Sequence, residues 1–154
     1  MISTQEIERI ALLGITGTPL FLVNVSIQAT NKIEVLVDDP SHLSIPQCVT
    51  LSKFIESNLD REKEDFELTV SSPGLDQPLK VDAQYHKTLG KEVSVLKKDG
   101  VKIIGKLLAK TEKHLELQTL RTENGTRGKG AKKIIEQLFL DINEIKETKL
   151  VLPF

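Results

Sequence analysis

The sequence predicts an α+β protein of two small domains: an N-terminal α-β-β-α-β sheet domain (residues 1–81) and a small five-stranded β-barrel (residues 82–154). Helical and alternating apolar patterns intermix in the first half, whereas short alternating runs fill the second. The charge also divides the chain. Residues 1–84 hold 6 Lys or Arg and 13 Asp or Glu, and residues 85–154 hold 15 and 9. An acidic half joined to a basic half indicates different partners for the two halves, unless the charges only help the halves to dock.

The composition is that of an ordinary soluble globular protein, with 39% hydrophobic and 28% charged residues in 154. No apolar run is long enough to span a bilayer, and we expect a cytoplasmic protein. Aromatic residues are scarce, so the core must be aliphatic. Cys48 is the only cysteine, which excludes an intramolecular disulfide. We expect its thiol to be half-buried and inert.

Local patterns place the elements of the first domain in order. Capping boxes, each a serine followed three residues later by Glu or Gln, open two predicted helices at 3–14 and 44–59. Gly14, Gly17 and Pro19 are expected to end the first helix. Alternating runs at 21–27 and 33–37 predict a hairpin, and another at 66–70 predicts a third strand.

The second domain begins with a helical turn at 82–89, closed by Gly90. Asp99-Gly100 marks a tight hairpin, and Gly105 marks a bend within a strand. A glycine-rich stretch, 121–130, is not expected inside a strand. Residues 141–145 fit a short 3₁₀ turn. The predicted strands are 93–96, 101–109, 115–120, 134–140 and 149–152. Five short strands in about 65 residues favour a closed antiparallel barrel, because closure removes both edges.

No set of residues indicates catalysis. The histidines are far apart and lack the spacing of metal ligands: His42, His86 and His114. The serine pair at 71–72 lacks the G-x-S-x-G pattern. The carboxylates of Asp38 and Asp39 are best explained by an exposed loop before Pro40. We therefore expect no enzyme, no cofactor, no metal and no small-molecule substrate.

The strongest physical signal is a cationic, glycine-spaced segment at residues 121–133. One acid accompanies its five cations: Arg121, Arg127, Lys129, Lys132 and Lys133. Such a segment can follow a phosphate backbone, or it can be a solvated hairpin loop. It contains no aromatic residue, which argues against a stacking platform for single strands. Lys97 and Lys98 either extend this basic surface or are ordinary turn residues.

The run Phe66-Glu67-Leu68-Thr69-Val70-Ser71-Ser72-Pro73-Gly74-Leu75-Asp76-Gln77-Pro78-Leu79 resembles the signature of the bacterial ribosome maturation factor RimP family. Its turn signal, Pro73-Gly74, is expected to join the domains. The motif residues that we assign to this joint are Ser71, Ser72, Pro73, Gly74, Leu75, Asp76 and Pro78. Gln77 stands where members of the family commonly carry Arg. The resemblance extends to 21–23, 35–38, 51–60 and 145–154.

The resemblance implies a KH-like N-terminal domain and an SH3-like or Sm-like barrel. It also implies a non-enzymatic assembly factor that binds the immature small (30S) ribosomal subunit. There the family aids late folding of the rRNA and incorporation of ribosomal protein twelve. The acidic N-terminal half suits a basic ribosomal protein better than phosphate. We expect a monomer without membrane contact. A general structured-RNA-binding module is the alternative.

Overall fold

The computed structural model of the protein describes residues 1–123 and 132–152, apart from the side chains of residues 121–123 and 132–133. The chain forms two compact units, Met1–Gly74 and Leu75–Phe154. The described residues contain three α-helices, a three-stranded sheet and a five-stranded sheet, so the α+β class is confirmed. A domain boundary between residues 81 and 82 stays a prediction. No helix in the described ranges is long and apolar enough to cross a membrane.

The N-terminal unit has the predicted α-β-β-α-β order. Its elements are α1 (Thr4–Ile15), β1 (Phe21–Gln28), β2 (Lys32–Asp38), α2 (Ile45–Ser57) and β3 (Glu67–Ser71). The strands lie in the order β1-β2-β3, with β1 antiparallel and β3 parallel to β2. The second pairing is parallel because α2 forms the crossover that returns the chain to the start of β3.

Side-chain caps fix where the two long helices begin. Ser3 Oγ accepts a hydrogen bond from the Glu6 N–H at 3.2 Å. At α2 the box is complete, because Ser44 Oγ accepts from the Gln47 N–H and Gln47 Oε1 accepts from the Ser44 N–H. Both contacts occupy groups that the first helical turn leaves without partners. The two helix starts are therefore set locally, as the sequence predicts.

The first helix ends just before Gly17 and Pro19, as predicted, whereas Gly14 does not end it. Gly14 lies within α1, which runs on to Ile15. A Cβ atom at Gly14 would lie 2.6 Å from Cδ1 of Phe54 on α2. The glycine is thus explained by the close packing of α1 against α2, a tertiary requirement that the helix-end pattern does not reveal.

The core of the N-terminal unit lies between the helices and one face of the sheet. It is aliphatic apart from Phe66, and its buried residues are Ile7, Ile10, Ala11, Ile15, Val25, Ile33, Val35, Val37, Leu51, Ile55 and Phe66. Arg61 lies over the Phe66 ring at 4.0 Å and donates to the Phe66 carbonyl at 2.8 Å. Its guanidinium also pairs with Glu56 and Asp65, so it holds the segment between α2 and β3.

The C-terminal unit has one short helix and five strands. Its elements are α3 (Asp82–Thr88), β4 (Glu92–Lys97), β5 (Lys102–Lys110), β6 (His114–Glu123), β7 (Lys132–Asp141), a 3₁₀ turn (Ile142–Glu144) and β8 (Ile145–Leu150). Two predicted boundaries were wrong. The final strand begins at Ile145 instead of residue 149. Strand β6 continues to Glu123 and so enters the glycine-rich stretch 121–130, which the sequence excluded from strand structure.

A closed barrel is not confirmed. The strand order is β7-β6-β5-β4-β8, and β7 and β8 share no ladder in the described chain. The prediction assumed that so small a sheet must close to remove its edges. Short strands and edge lysines also protect an edge, and β8 has six residues with lysines at 146 and 149.

Strand β5 changes its partner in the middle, where the sequence predicts a bend. Lys102 to Lys106 pair with β4, and Lys106 to Lys110 pair with β6. A Cβ atom at Gly105 would lie 2.9 Å from the Gln118 carbonyl oxygen. Glycine therefore allows β5 and β6 to approach at the point where the pairing changes.

The core of the C-terminal unit lies on one face of its sheet and is covered in part by α3. Its buried members are Tyr85, Val93, Val95, Leu107, Leu115, Leu117 and Leu140. Thr148 on β8 is 0% exposed, and its hydroxyl has no hydrogen-bond partner among the described residues. The Thr88 hydroxyl on α3 is also buried, but it donates to the Gln84 carbonyl at 2.7 Å.

Candidate nucleic-acid interface

The predicted basic segment lies at the β6–β7 hairpin. Arg121 is on β6 opposite Ile134, and Lys132 and Lys133 are on β7 opposite Glu123 and Thr122. Arg127 and Lys129 lie outside the described residues. The strand register therefore brings three of the five predicted cations to the same end of one hairpin.

At this end, β6 and β7 extend beyond the part of β6 that pairs with β5. Strand β5 pairs with β6 only from Leu115 to Gln118. Residues 119–123 of β6 pair with residues 132–136 of β7 and with no other strand in the described chain. A two-stranded ribbon exposes more of its surface than a strand inside a sheet. The backbone positions of the three cations lie in this two-stranded part.

Lys97 and Lys98 occupy the turn between β4 and β5, and their surroundings differ. The Lys97 ammonium is half-buried, 3.8 Å from Asp99 and 3.7 Å from Glu144. These carboxylates compete with any phosphate for its charge. Lys98 is exposed, and its backbone N–H donates to the Glu144 carbonyl at 2.8 Å. Lys98 is therefore the better candidate for an anion contact.

Further lysines, which the sequence analysis did not select, lie on the outer face of the five-stranded sheet, opposite its core. Lys102 and Lys106 are exposed there on β5. Carboxylates accompany them, since Glu92 pairs with Lys106 across the ladder and Lys149 lies 3.7 Å from Glu147. Positive and negative charges therefore alternate on this face. The 121–133 segment, by comparison, has five cations and one acid in its sequence.

Three large apolar side chains are exposed on the same outer face. Leu120 lies opposite Ile135, and Phe139 lies further along β7, all between 61% and 69% exposed. The Phe139 ring makes an edge contact with His114, with centroids 5.5 Å apart. Sequence reasoning missed these residues because only the register shows which side chains turn outward. One exposed ring on this face does not form a stacking platform for single-stranded nucleic acid.

The Asp38-Asp39 pair was wrongly placed in an exposed loop. Asp39 is buried, and its Oδ1 accepts hydrogen bonds from the Ser41 N–H at 2.9 Å and the His42 N–H at 3.3 Å. Its Oδ2 accepts from Gln47 Nε2 at 3.2 Å. Backbone and side-chain donors together hold the pKa of Asp39 below its usual value. The carboxylate organises the turn that leads into α2, which is a structural role.

Cys48 is partly buried on α2, and burial raises the pKa of its thiol. A raised pKa leaves little thiolate at neutral pH, so the thiol is a poor nucleophile. In the ranges that the structure describes, no three His, Cys, Asp or Glu side chains are grouped to hold a metal ion.

The motif at 71–79 divides between the two compact units. Ser71 is the last residue of β3 and pairs with Leu36, whereas Leu79 donates its N–H to the Thr148 carbonyl at 2.7 Å. The turn lies at residues 75–76 rather than at Pro73-Gly74, where the sequence placed it. Residues 72–74, after the end of β3 at Ser71, have neither strand nor turn structure. Whether the motif residues act as a joint stays a prediction.

Comparison with known proteins identifies the family. Residues 11–76 match the model of the RimP N-terminal domain. A ribosome maturation factor RimP from Porphyromonas gingivalis is 35% identical over 147 residues, covering 96% of this chain and 97% of its own length. The protein of the same name from Christiangramia forsetii is 33% identical and covers 88% of both chains. The predicted resemblance is confirmed, and the chain belongs to the ribosome maturation factor RimP family.

Proposed function

We propose that this protein binds the immature small (30S) ribosomal subunit and assists its late assembly, including rRNA folding and the incorporation of ribosomal protein twelve. Its relatives are named ribosome maturation factors, and none of the names denotes an enzyme. We place the protein in the cytoplasm as a monomeric, non-catalytic factor. Its N-terminal unit is assigned a KH-like fold and its C-terminal unit an SH3-like one, in which the motif at 71–78 joins the two.

The family supplies the ribosomal part of this proposal, and the observation that supports contact with rRNA is the ribbon formed by the ends of β6 and β7. It belongs to the basic part of the chain and holds Arg121, Lys132 and Lys133 at one end. Arg127 and Lys129 lie in the sequence between its two strands. Contacts from such cations to phosphates release counterions, which supplies affinity with little reading of base sequence. Base-independent affinity suits a factor that recognises rRNA by its folded shape.

Neutralising the ribbon tests this role. A variant with all five cations replaced by Gln should bind immature small subunits more weakly and with a shallower salt dependence. If each cation contacts one phosphate, the slope of log affinity against log salt falls by about 4. The matched control replaces five exposed lysines elsewhere: Lys32, Lys53, Lys63, Lys91 and Lys113. Equal slopes for the ribbon variant and the unsubstituted protein would refute the assignment.

Sedimentation of cell extract tests the class of partner. The protein should migrate with free small subunits and be absent from whole ribosomes. A general structured-RNA-binding module is the second candidate, and the basic segment alone would serve it equally well. An excess of unrelated duplex RNA should displace a general module from small subunits, whereas it should leave an assembly factor bound.

A further inference from the structure

An apolar groove lies within the N-terminal unit, between α2 and β3. Its volume is about 500 Å³. Ile45 and Val49 form the wall on α2 and are 79% and 44% exposed, which is unusual for aliphatic side chains on a helix that also supplies the core. Leu68 and Val70 form the opposite wall on β3. The groove therefore presents four aliphatic side chains that the fold of the unit does not fully bury.

The strand beside this groove is the edge of its sheet. The Glu67 N–H donates to the Asn31 carbonyl at 3.0 Å, which fixes the side of β3 that faces β2. Because backbone groups alternate along a strand, the N–H and C=O of Leu68 and Val70 point away from β2. They have no backbone partner in the described chain. Leu68 to Ser72 line the groove, so this open edge borders it.

An open strand edge next to apolar pockets is the arrangement that binds an extended polypeptide. The incoming chain pairs its backbone with the edge, and its alternate side chains enter the pockets. At about 3.3 Å per residue, the five residues of β3 match a segment of about five residues. The groove provides no cation for the phosphates of a nucleic acid, since the residues that line it include no Lys or Arg.

Charge indicates which polypeptide fits. The N-terminal unit holds five Lys or Arg against eleven Asp or Glu. Glu67, next to the groove, is exposed and points to the opposite side of β3 from Leu68. Lys32 lies opposite Glu67 on the neighbouring strand, so the attraction comes from the net negative charge of the unit, which favours a cationic chain over an acidic one.

We propose that the α2–β3 groove binds an extended, lysine- or arginine-rich segment of a basic protein by adding it as a strand to β3. The alternate apolar residues of the segment lie between Val49 and Val70, and its cations are attracted by the net negative charge of the unit. The inference deepens the proposed function, on which it rests for the class of partner, because a small-subunit assembly factor meets basic ribosomal proteins.

The test uses the full-length protein and synthetic eight-residue peptides. Cys48 lines the groove and is the only cysteine, so its modification by a maleimide reports occupancy without any substitution. The reaction is run at mildly alkaline pH, because burial raises the pKa of this thiol. A peptide of alternating Lys and Val should slow the modification at least tenfold at saturation. Methylation of its alternate backbone nitrogens should abolish the protection, since strand pairing needs those donors.

Substitutions locate the site. Val49→Lys should weaken binding of the Lys-Val peptide at least tenfold, through loss of apolar contact and charge repulsion. The control is Leu12→Lys on α1, where the side chain is 52% exposed and does not line the groove. This variant should bind the peptide as the unsubstituted protein does. Both substitutions replace exposed residues, so neither is expected to unfold the protein, and circular dichroism verifies this.

Four outcomes would overturn the inference: no protection by the Lys-Val peptide, equal protection by a Glu-Val peptide, protection by an RNA duplex alone, or protection that rises with protein concentration alone. The last would show pairing of β3 edges between two copies of the chain. Failure of the peptide assay with intact co-sedimentation would remove the groove assignment and leave the ribosomal role standing. Loss of co-sedimentation with intact peptide binding would remove the ribosomal role and leave the groove assignment standing.

Discussion

Replacing Thr148 by Val is expected to stabilise the C-terminal unit. The side chain is fully buried on β8, and its hydroxyl lacks a partner among the described residues. A buried unpaired hydroxyl costs about 1–3 kcal/mol, and the added methyl group is worth up to about 0.8 kcal/mol. Valine has the same shape as threonine, so little repacking is needed. We take about 1–2 kcal/mol as the expected gain, because a buried methyl group seldom fits without some strain.

Tyrosine fluorescence during urea unfolding measures this gain. Tyr85 is the only tyrosine, the chain has no tryptophan, and Tyr85 is buried in the core of the C-terminal unit. With a urea dependence of about 1–2 kcal/mol per molar, a gain of 1 kcal/mol raises the midpoint by about 0.5–1 M. The same gain raises the melting temperature by about 4–8 °C for a unit of this size.

The control makes the same substitution where the hydroxyl is paired. Thr88 is also buried, at 6% exposed, and its hydroxyl donates to the Gln84 carbonyl at 2.7 Å. Thr88→Val should therefore lower the stability of the unit by about 0.5–1.5 kcal/mol. The reasoning fails if Thr148→Val is neutral or destabilising while Thr88→Val behaves as stated. The hydroxyl of Thr148 would then have a partner, such as an ordered water.

Three further predictions concern single residues. Gly105→Ala should destabilise the C-terminal unit by roughly 1–3 kcal/mol, because the new Cβ would meet the Gln118 carbonyl at 2.9 Å; an unchanged urea midpoint would contradict this. Lys110 lowers the pKa of Asp82. The pair therefore stabilises the folded protein at pH values above the ordinary carboxyl pKa of about 3.9, and this stabilisation is lost as the pH falls through the lowered pKa. Asp82→Asn should reduce this loss of stability at acid pH, and identical curves of stability against pH for the variant and the unsubstituted protein would disprove the prediction. Asp39→Ala should lower the melting temperature of the N-terminal unit, because the backbone N–H donors of Ser41 and His42 lose their acceptor; an unaltered calorimetric transition would count against this.

Features that depend on a few neighbouring residues could be predicted from the sequence. The capping box of Ser44 and Gln47 forms as expected, since both partners lie in one helical turn. The Asp99-Gly100 turn closes the β4–β5 hairpin with Gly100 at φ +92° and a bond from the Lys97 N–H to the Val101 carbonyl. Here glycine adopts the left-handed conformation that other residues avoid.

Features set by contacts between distant residues could not be predicted in this way. The role of Gly14 depends on Phe54, forty residues further along the chain. The sequence left open whether Lys97 extends the basic surface or is an ordinary turn residue, and it did not reveal that the Lys97 ammonium lies near both Asp99 and the distant Glu144. The sequence could not show whether the five-stranded sheet closes into a barrel, because closure depends on which strands pair at its edges. An alternating pattern predicts a strand but does not identify its partner. The basic segment was found because its residues are adjacent in sequence.

The ribbon at the end of β6 and β7 has a consequence for how this chain can be lengthened. Its pairs beyond Gln118 bond only to each other, so an insertion there leaves the ladder with β5 unchanged. Two residues added to each strand would preserve the orientation of every side chain, because the strand period is two, and would move the tip outward by about 7 Å. One residue added to each would instead exchange the faces of the tip. Relatives with longer or shorter hairpins are therefore expected to differ by even numbers of residues per strand.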